Sequence, residues 1–102
     1  MLVFGRDVVD KYFYRRRGQY GLDAAVRRYD AWLVEILRAS WRDPAALKSQ
    51  HRSASIVADR VVFNISGNNY RLVVRVSYKA RVVEIRWFGT HAEYGRIEVE
   101  TV

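Results

Sequence analysis

Thr90-His91-Ala92-Glu93-Tyr94 gathers three groups able to give or take a proton within four residues. His91 is one of two histidines, and an imidazole, with an ordinary pKa of about 6.5, suits proton transfer near neutrality. Tyr94 lies three residues on and could share a helical turn with it, and Glu93 is a second candidate base. Arg71 and Arg86 could face the same pocket. Together these are the parts for metal-free RNA cleavage. A base takes the proton of a ribose 2′-hydroxyl, arginines hold the phosphate and its developing charge, and an acid protonates the leaving 5′-oxygen. Which of His91, Glu93 and Tyr94 is base and which is acid stays open at this level. A plainer reading competes, because a lone histidine is usually structural or exposed and Thr90…Glu93 also has the spacing of a capping box.

The elements that must position these groups run from Arg60 to Tyr94. Apolar and basic residues alternate there with the period of a half-buried strand. Ser66-Gly67-Asn68-Asn69 carries the residue types that turn a hairpin, which sets Ile65 opposite Tyr70, Phe63 opposite Leu72 and Asn64 opposite Arg71. A second turn around Lys79 and Ala80 sets Val76 opposite Val83, Val74 opposite Ile85 and Leu72 opposite Trp87. The expected core face is Val61, Phe63, Ile65, Tyr70, Leu72, Val74, Val76, Val83, Ile85 and Trp87. The other face holds Arg60, Val62, Asn64, Arg71, Val73, Arg75, Glu84, Arg86 and Phe88. In that register Arg75 pairs with Glu84, while Arg60 and Arg75 face each other as like charges unless an anion intervenes. Arg71 and Arg86 have no acidic partner and form the expected phosphate site. Arg60, Arg75, Lys79 and Asn64 complete the candidate phosphate- or RNA-binding set.

Upstream, Met1 to Phe4 could add a strand. Val9, Tyr12, Phe13 and Arg16 mark a first helix over Asp7–Arg17, with Gly18 as its stop. Leu22, Val26, Tyr29, Leu33, Ile36 and Leu37 form the apolar stripe of a second helix over Leu22–Ala39, broadened by Trp32. Asp43-Pro44 is an N-cap and first-turn pair that starts a short third helix. Gln50 to Asp59 reads as a loop or irregular strand crossing to the sheet. The expectation is one α+β domain over residues 1–102, two N-terminal helices packed on a twisted antiparallel sheet of three or four strands.

Composition narrows the partners. Eighteen Lys and Arg against eleven Asp and Glu give a net charge of +7, the footprint expected of a nucleic-acid binder. Only three of the eighteen are lysines, and arginine's planar fork holds phosphate oxygens bidentately. There is no cysteine, which excludes a disulfide framework and a thiolate metal site. His51 and His91 with scattered carboxylates make no recognisable metal site, and no glycine-rich phosphate loop or nucleophile elbow is present. Neither metal nor cofactor is therefore expected. No apolar run reaches the length of a membrane span, and the first residues lack a signal-peptide core. The expectation is a soluble cytoplasmic domain with no membrane partner.

Arg-Ser-Ala-Ser at residues 52–55, Val-Phe-Asn-Ile-Ser-Gly-Asn at 62–68, Tyr-Arg-Leu-Val-Val at 70–74 and Gly-Thr-His-Ala-Glu-Tyr at 89–94 occur in an order that closely resembles the HigB toxins. These are members of the RelE/ParE-like superfamily from bacterial type II toxin–antitoxin systems. Trp41, Pro44, Leu47 and Lys48 also fit, while the first helix matches only in kind. The resemblance implies a RelE-like fold and a metal-independent endoribonuclease, an mRNA interferase that cuts mRNA, often on the ribosome. It implies inhibition by a cognate HigA-type antitoxin with a helix-turn-helix domain. It also implies functional roles for Arg71 and His91, and more weakly for Tyr94. Two positions depart from the pattern: Gly95 stands where relatives commonly carry aspartate, and His51 where many carry an aromatic. The alternative reading is a basic module that occupies RNA or the ribosome without chemistry.

Overall fold

A computed structural model describes residues 1–102. Nine elements follow one another: β1 (Leu2–Phe4), α1 (Arg6–Arg15), α2 (Leu22–Arg38), α3 (Pro44–Gln50), β2 (Ser55–Val57), β3 (Arg60–Ile65), β4 (Tyr70–Ser77), β5 (Val82–Thr90) and α4 (His91–Tyr94). The five strands form one sheet in the order β1-β5-β4-β3-β2. β1 runs parallel to β5 and all other neighbours are antiparallel. The α+β class expected from the sequence holds, but the sheet is mixed and has five strands where three or four antiparallel ones were expected. Four helices stand where two packed helices and a short third were expected. The two edge strands are three residues each and fall where the sequence allowed a strand, at Met1–Phe4 and within Gln50–Asp59.

The elements form for local reasons. α2 buries Leu22, Ala25, Tyr29, Trp32, Leu33 and Ile36 along one stripe, and Leu37 at its rim stays exposed. Asp43 accepts the Ala46 N–H at 2.8 Å and Pro44 opens α3, as the Asp-Pro pair requires. Between β1 and α1, Gly5 sits at φ +81, and any Cβ there would run into the Ile85 carbonyl. Only glycine lets the chain turn from the parallel edge strand straight into the helix.

The β3–β4 register is the expected one throughout, from Ile65↔Tyr70 to Arg60↔Arg75. The β4–β5 register departs from it halfway. Val76↔Val83 and Val74↔Ile85 pair as expected, but Val73 then meets Trp87 and Leu72 meets Phe88. Arg86 is the extra residue of a β-bulge, and beyond it every side chain of β5 changes face. Phe88, not Trp87, therefore enters the core. Its ring stacks on Tyr70 at 5.4 Å and meets Tyr12, Phe13 and Tyr29 edge-on. Trp87 goes to the opposite face, across from Val73.

That opposite face is not an open arginine row. Val62, Val73, Arg60 and Arg71 on it are all buried. The chain after α4 folds back over it, and the Val102 carbonyl accepts from Arg60 on β3 and from Arg86 on β5. The expected Arg75–Glu84 ion pair is replaced as well. Arg75 and Glu84 are Cα partners, but Glu84 pairs with Arg86 at 3.1 Å and Arg75 with Asp59 at 3.4 Å. Asp59 also meets Arg60 at 2.6 Å. It is the anion that separates the two like charges.

Candidate functional site

β4 and β5 bring their ends together at Tyr70↔Thr90 and Arg71↔Gly89. Thr90 then caps α4 with a full capping box: its hydroxyl accepts the Glu93 N–H, and Glu93 Oε1 accepts the Thr90 N–H at 2.8 Å. The His91 N–H donates to the Asn69 carbonyl at 2.9 Å, which ties the helix start to the β3–β4 turn. His91 is thereby held over Arg71.

Arg71 is 8% exposed, and its fork is almost fully engaged. Nη1 donates to the carbonyls of Asn68 and Tyr70, each at 3.1 Å, and Nη2 donates to Asn68 Oδ1 at 2.6 Å. Nη2 also meets His91 Nδ1 at 2.8 Å. A guanidinium has no acceptor, so Nδ1 must accept, and a neutral His91 carries its proton on Nε2. The Arg71 cation lies 6.0 Å from the centre of the Tyr94 ring, at the outer limit of a cation–π contact. The Tyr94 ring in turn lies 6.2 Å from that of Trp87. Gly89 makes room for this: a Cβ on it would come within 2.5 Å of Trp87 Cη2 and 3.0 Å of Glu93 Oε1.

Glu93 sits differently from the other two candidates. Its Oε1 accepts from the Tyr12 hydroxyl at 2.7 Å, and its Oε2 from Arg16 at 2.9 Å. Arg16 lies over the Tyr12 ring at 3.8 Å, so α1 grips α4 through one carboxylate. Burial alone would raise the Glu93 pKa. The Thr90 N–H, the Tyr12 and Thr90 hydroxyls and Arg16 outweigh it and hold the carboxyl below its ordinary range. Burial and this same carboxylate push the Tyr12 hydroxyl upward, which keeps it a donor.

Arg71, His91 and Tyr94 thus lie together, with Glu93 next to them but committed to α1. The remaining residues of the expected set are elsewhere. Arg86 is held by Glu84 and the Val102 carbonyl, Arg60 by Asp59 and Val102, and Arg75 by Asp59. Asn64 is exposed on β3 opposite Arg71, and Lys79 lies in the β4–β5 turn at the far end of the sheet. The five main depressions of the surface are not lined by Arg71, His91 or Tyr94, so the cluster stands on an open face. No group of three His, Asp or Glu side chains converges to hold a metal ion, and no helix is long and apolar enough to cross a membrane.

Three contributors were not legible as such in the sequence. Asn68 reads as a turn residue, yet its amide oxygen and carbonyl both hold Arg71. Trp87 reads as core, because the bulge has no sequence signature. Arg16 reads as the basic last turn of a helix, because its partner is 77 residues away. No curated protein matches the chain. Residues 25–97, which span α2 to the turn after α4 and include the whole Arg71–His91–Tyr94 cluster, match the HigB toxin family, the RelE-like toxic component of a toxin–antitoxin system. The chain belongs to that family.

Proposed function

We propose that the chain is a metal-independent endoribonuclease that cleaves mRNA on the translating ribosome and is held inactive by a HigA-type antitoxin. The observation that carries this is the 2.8 Å contact between Arg71 Nη2 and His91 Nδ1. It joins a permanent cation to an imidazole whose remaining proton is on Nε2. Arg71 is braced by Asn68 and Tyr70, so its charge is fixed beside His91 and acts on a phosphodiester there as a preorganised cation. The ribose 2′-oxygen attacks the adjacent phosphorus, the bond to the 5′-oxygen breaks, and a 2′,3′-cyclic phosphate and a 5′-hydroxyl result. His91 Nε2–H donates a hydrogen bond that stabilises the charge developing on the phosphate and the leaving oxygen. The 2′-hydroxyl proton passes by way of a non-bridging phosphate oxygen to the leaving 5′-oxygen, and the Tyr94 hydroxyl is placed to hydrogen-bond the phosphate. The Tyr94 and Trp87 rings give bases a surface to stack on. Glu93 acts as a positioning residue for His91, because both its oxygens are occupied.

Arg86, Arg60 and Arg75 neutralise Glu84, Asp59 and the returning chain in this proposal, and do not meet the scissile phosphate. The test is brief induction of the wild type, Arg71→Ala and His91→Ala, with sequencing of mRNA 5′ ends. Discrete new ends with the wild type and none with either variant support the assignment. Retained toxicity in both variants overturns it. The openness of the cluster favours a second reading, in which the chain occupies RNA or the ribosome without chemistry. Growth arrest with no new ends would select that reading.

A further inference from the structure

The far end of the sheet carries a second cationic site. The β4–β5 turn meets the α2–α3 connection across a cleft of about 480 Å³ lined by Ser40, Trp41, Arg42, Tyr78, Lys79 and Arg81. Three of these six are cations and none is an acid. None of the three cations is in an ion pair. This contrasts with Arg60, Arg75 and Arg86, each of which has a carboxylate. Asp43, next to Arg42 in the chain, caps α3 by accepting the Ala46 N–H, and its charge also acts on Tyr78, so the cleft sets three cations against one nearby carboxylate.

Arg81 adds an independent observation. Its φ is +58, a left-handed conformation that suits glycine or asparagine and strains a long side chain. Of the three non-glycine residues at positive φ, Ala58, Ser66 and Arg81, only Arg81 has a long side chain. Outliers of this kind concentrate at sites where a side chain has a task.

We propose that this cleft binds the ribose–phosphate backbone of RNA as a second anchor, apart from the Arg71–His91 cluster. Two arginine forks and an ammonium around a polar hollow match phosphate oxygens. An acidic peptide would in addition need an apolar pocket for an anchoring side chain. Trp41 is buried, which leaves only the half-buried Tyr78 ring as apolar surface there. Arg71 and Lys79 are eight residues apart along one strand direction, about 26 Å at the rise of a β-strand. The two sites therefore cannot grip the same phosphate. The anchor holds either a distant part of the cleaved strand or ribosomal RNA beside it. The inference rests on the RNA-directed function proposed above.

The test uses the triple variant Arg42→Ser, Lys79→Ser, Arg81→Gly. The glycine relieves the strained φ and the two serines replace exposed side chains, so the fold is expected to persist, checked by circular dichroism. Binding is measured against 2′-O-methyl RNA, which lacks the attacking hydroxyl, in a strand only long enough for the Arg71 cluster and in one that spans the sheet. A third arm measures binding to purified ribosomes. The expected result is a weakening of about tenfold or more, with the salt-dependence slope reduced by about 2 for three lost phosphate contacts. Loss confined to the long strand identifies the cleaved RNA as the ligand, and loss confined to ribosomes identifies ribosomal RNA. Unchanged binding to both the long strand and the ribosomes overturns the proposal, as does an equal loss on the short strand. A wild type that binds neither RNA nor ribosomes fails the RNA-directed function itself, and this inference falls with it.

Discussion

Arg71 Nη2 and His91 Nδ1 lie 2.8 Å apart although twenty residues separate them in the chain. The contact exists because Arg71↔Gly89 pairing and the Thr90 capping box fix the start of α4 directly above the strand end. A lysine at residue 71 would keep a charge but could not hold Asn68 and His91 at once. Arg71→Lys is expected to lower cleavage by about 10²-fold, the cost of one preorganised donor at a developing anion. The imidazole nitrogen shifts of His91 would check the cause. They should show the Nε2–H form in the wild type and a mixture of tautomers in the variant.

Glu93 links α1 to α4, so its loss should act through His91. Glu93→Gln keeps the shape of the capping box but removes the charge facing Arg16. Cleavage is expected to fall while RNA affinity, measured on 2′-O-methyl RNA, stays within about twofold. The variant should also differ in acid. Because the folded-state pKa of Glu93 lies below its ordinary value of 4.5, the unfolded chain binds the proton more readily. The resulting stability is complete above pH 4.5 and is lost as pH falls through the lowered folded value. Urea unfolding over that range should show the wild type losing more stability than Glu93→Gln. Equal slopes would mean that Arg16 and Tyr12 do not hold the carboxylate in solution.

The bulge at Arg86 makes a prediction that separates two neighbouring aromatics. Phe88 is buried against four aromatic rings, so Phe88→Ala should cost about 3–5 kcal/mol in urea unfolding. Trp87 is only half-buried, on the opposite face, and Trp87→Ala should cost much less. It should instead weaken RNA binding by about 1–3 kcal/mol per stacked base lost. The regular register, with Trp87 in the core, predicts the reverse order of stabilities.

That reversal shows where the sequence stopped being informative. The α2 stripe, the Asp43 cap, the Ser66–Asn69 turn and the Thr90 capping box are local patterns, and each was readable because its partners lie within a turn or a hairpin. Trp87-Phe88 is two adjacent apolar residues, and alternation fits either one facing inward. The choice is made by Tyr12, Phe13 and Tyr29, which arrive from α1 and α2 and offer Phe88 a packed aromatic pocket. Likewise Glu84 had Arg75 opposite it in the strand pairing, but Asp59 between β2 and β3 takes Arg75, and the bulge re-aims Arg86 onto Glu84. Arg71 and His91 were legible as neighbours because they lie at the adjoining ends of β4 and β5, which a hairpin brings together whatever its exact register. The mixed sheet was not, since parallel pairing of β1 with β5 joins residues some eighty positions apart.

Gly89 tests how closely the site is packed. Any Cβ there would sit 2.5 Å from Trp87 Cη2, on a stiff ring with little freedom to yield. Gly89→Ala should destabilise the fold by about 1–3 kcal/mol, the usual cost of overpacking. It should also shift Trp87 fluorescence and lower cleavage, because the displaced ring presses towards Glu93 and α4. An alanine variant with unaltered fluorescence would mean that Trp87 does not lie over Gly89 in solution.

His51 provides the last test. Its ring packs edge-on against Trp41 and Phe63 at 5.6 and 5.2 Å, as a phenylalanine would, and its Nε2 is buried without a hydrogen-bond partner. Burial lowers its pKa below the ordinary 6.5, only partly opposed by Glu35, whose carboxylate lies 3.9 Å away. The folded state therefore prefers the neutral ring. Stability is complete above pH 6.5 and falls as pH drops towards the lowered folded value, because the unfolded chain gains the proton first. His51→Phe should remove this dependence between pH 6.5 and the onset of carboxylate titration while leaving cleavage intact, since the ring is remote from Arg71 and His91. If the wild type and His51→Phe lose stability in parallel across that window, His51 is exposed to water in the folded protein and its packing against Trp41 and Phe63 is not maintained.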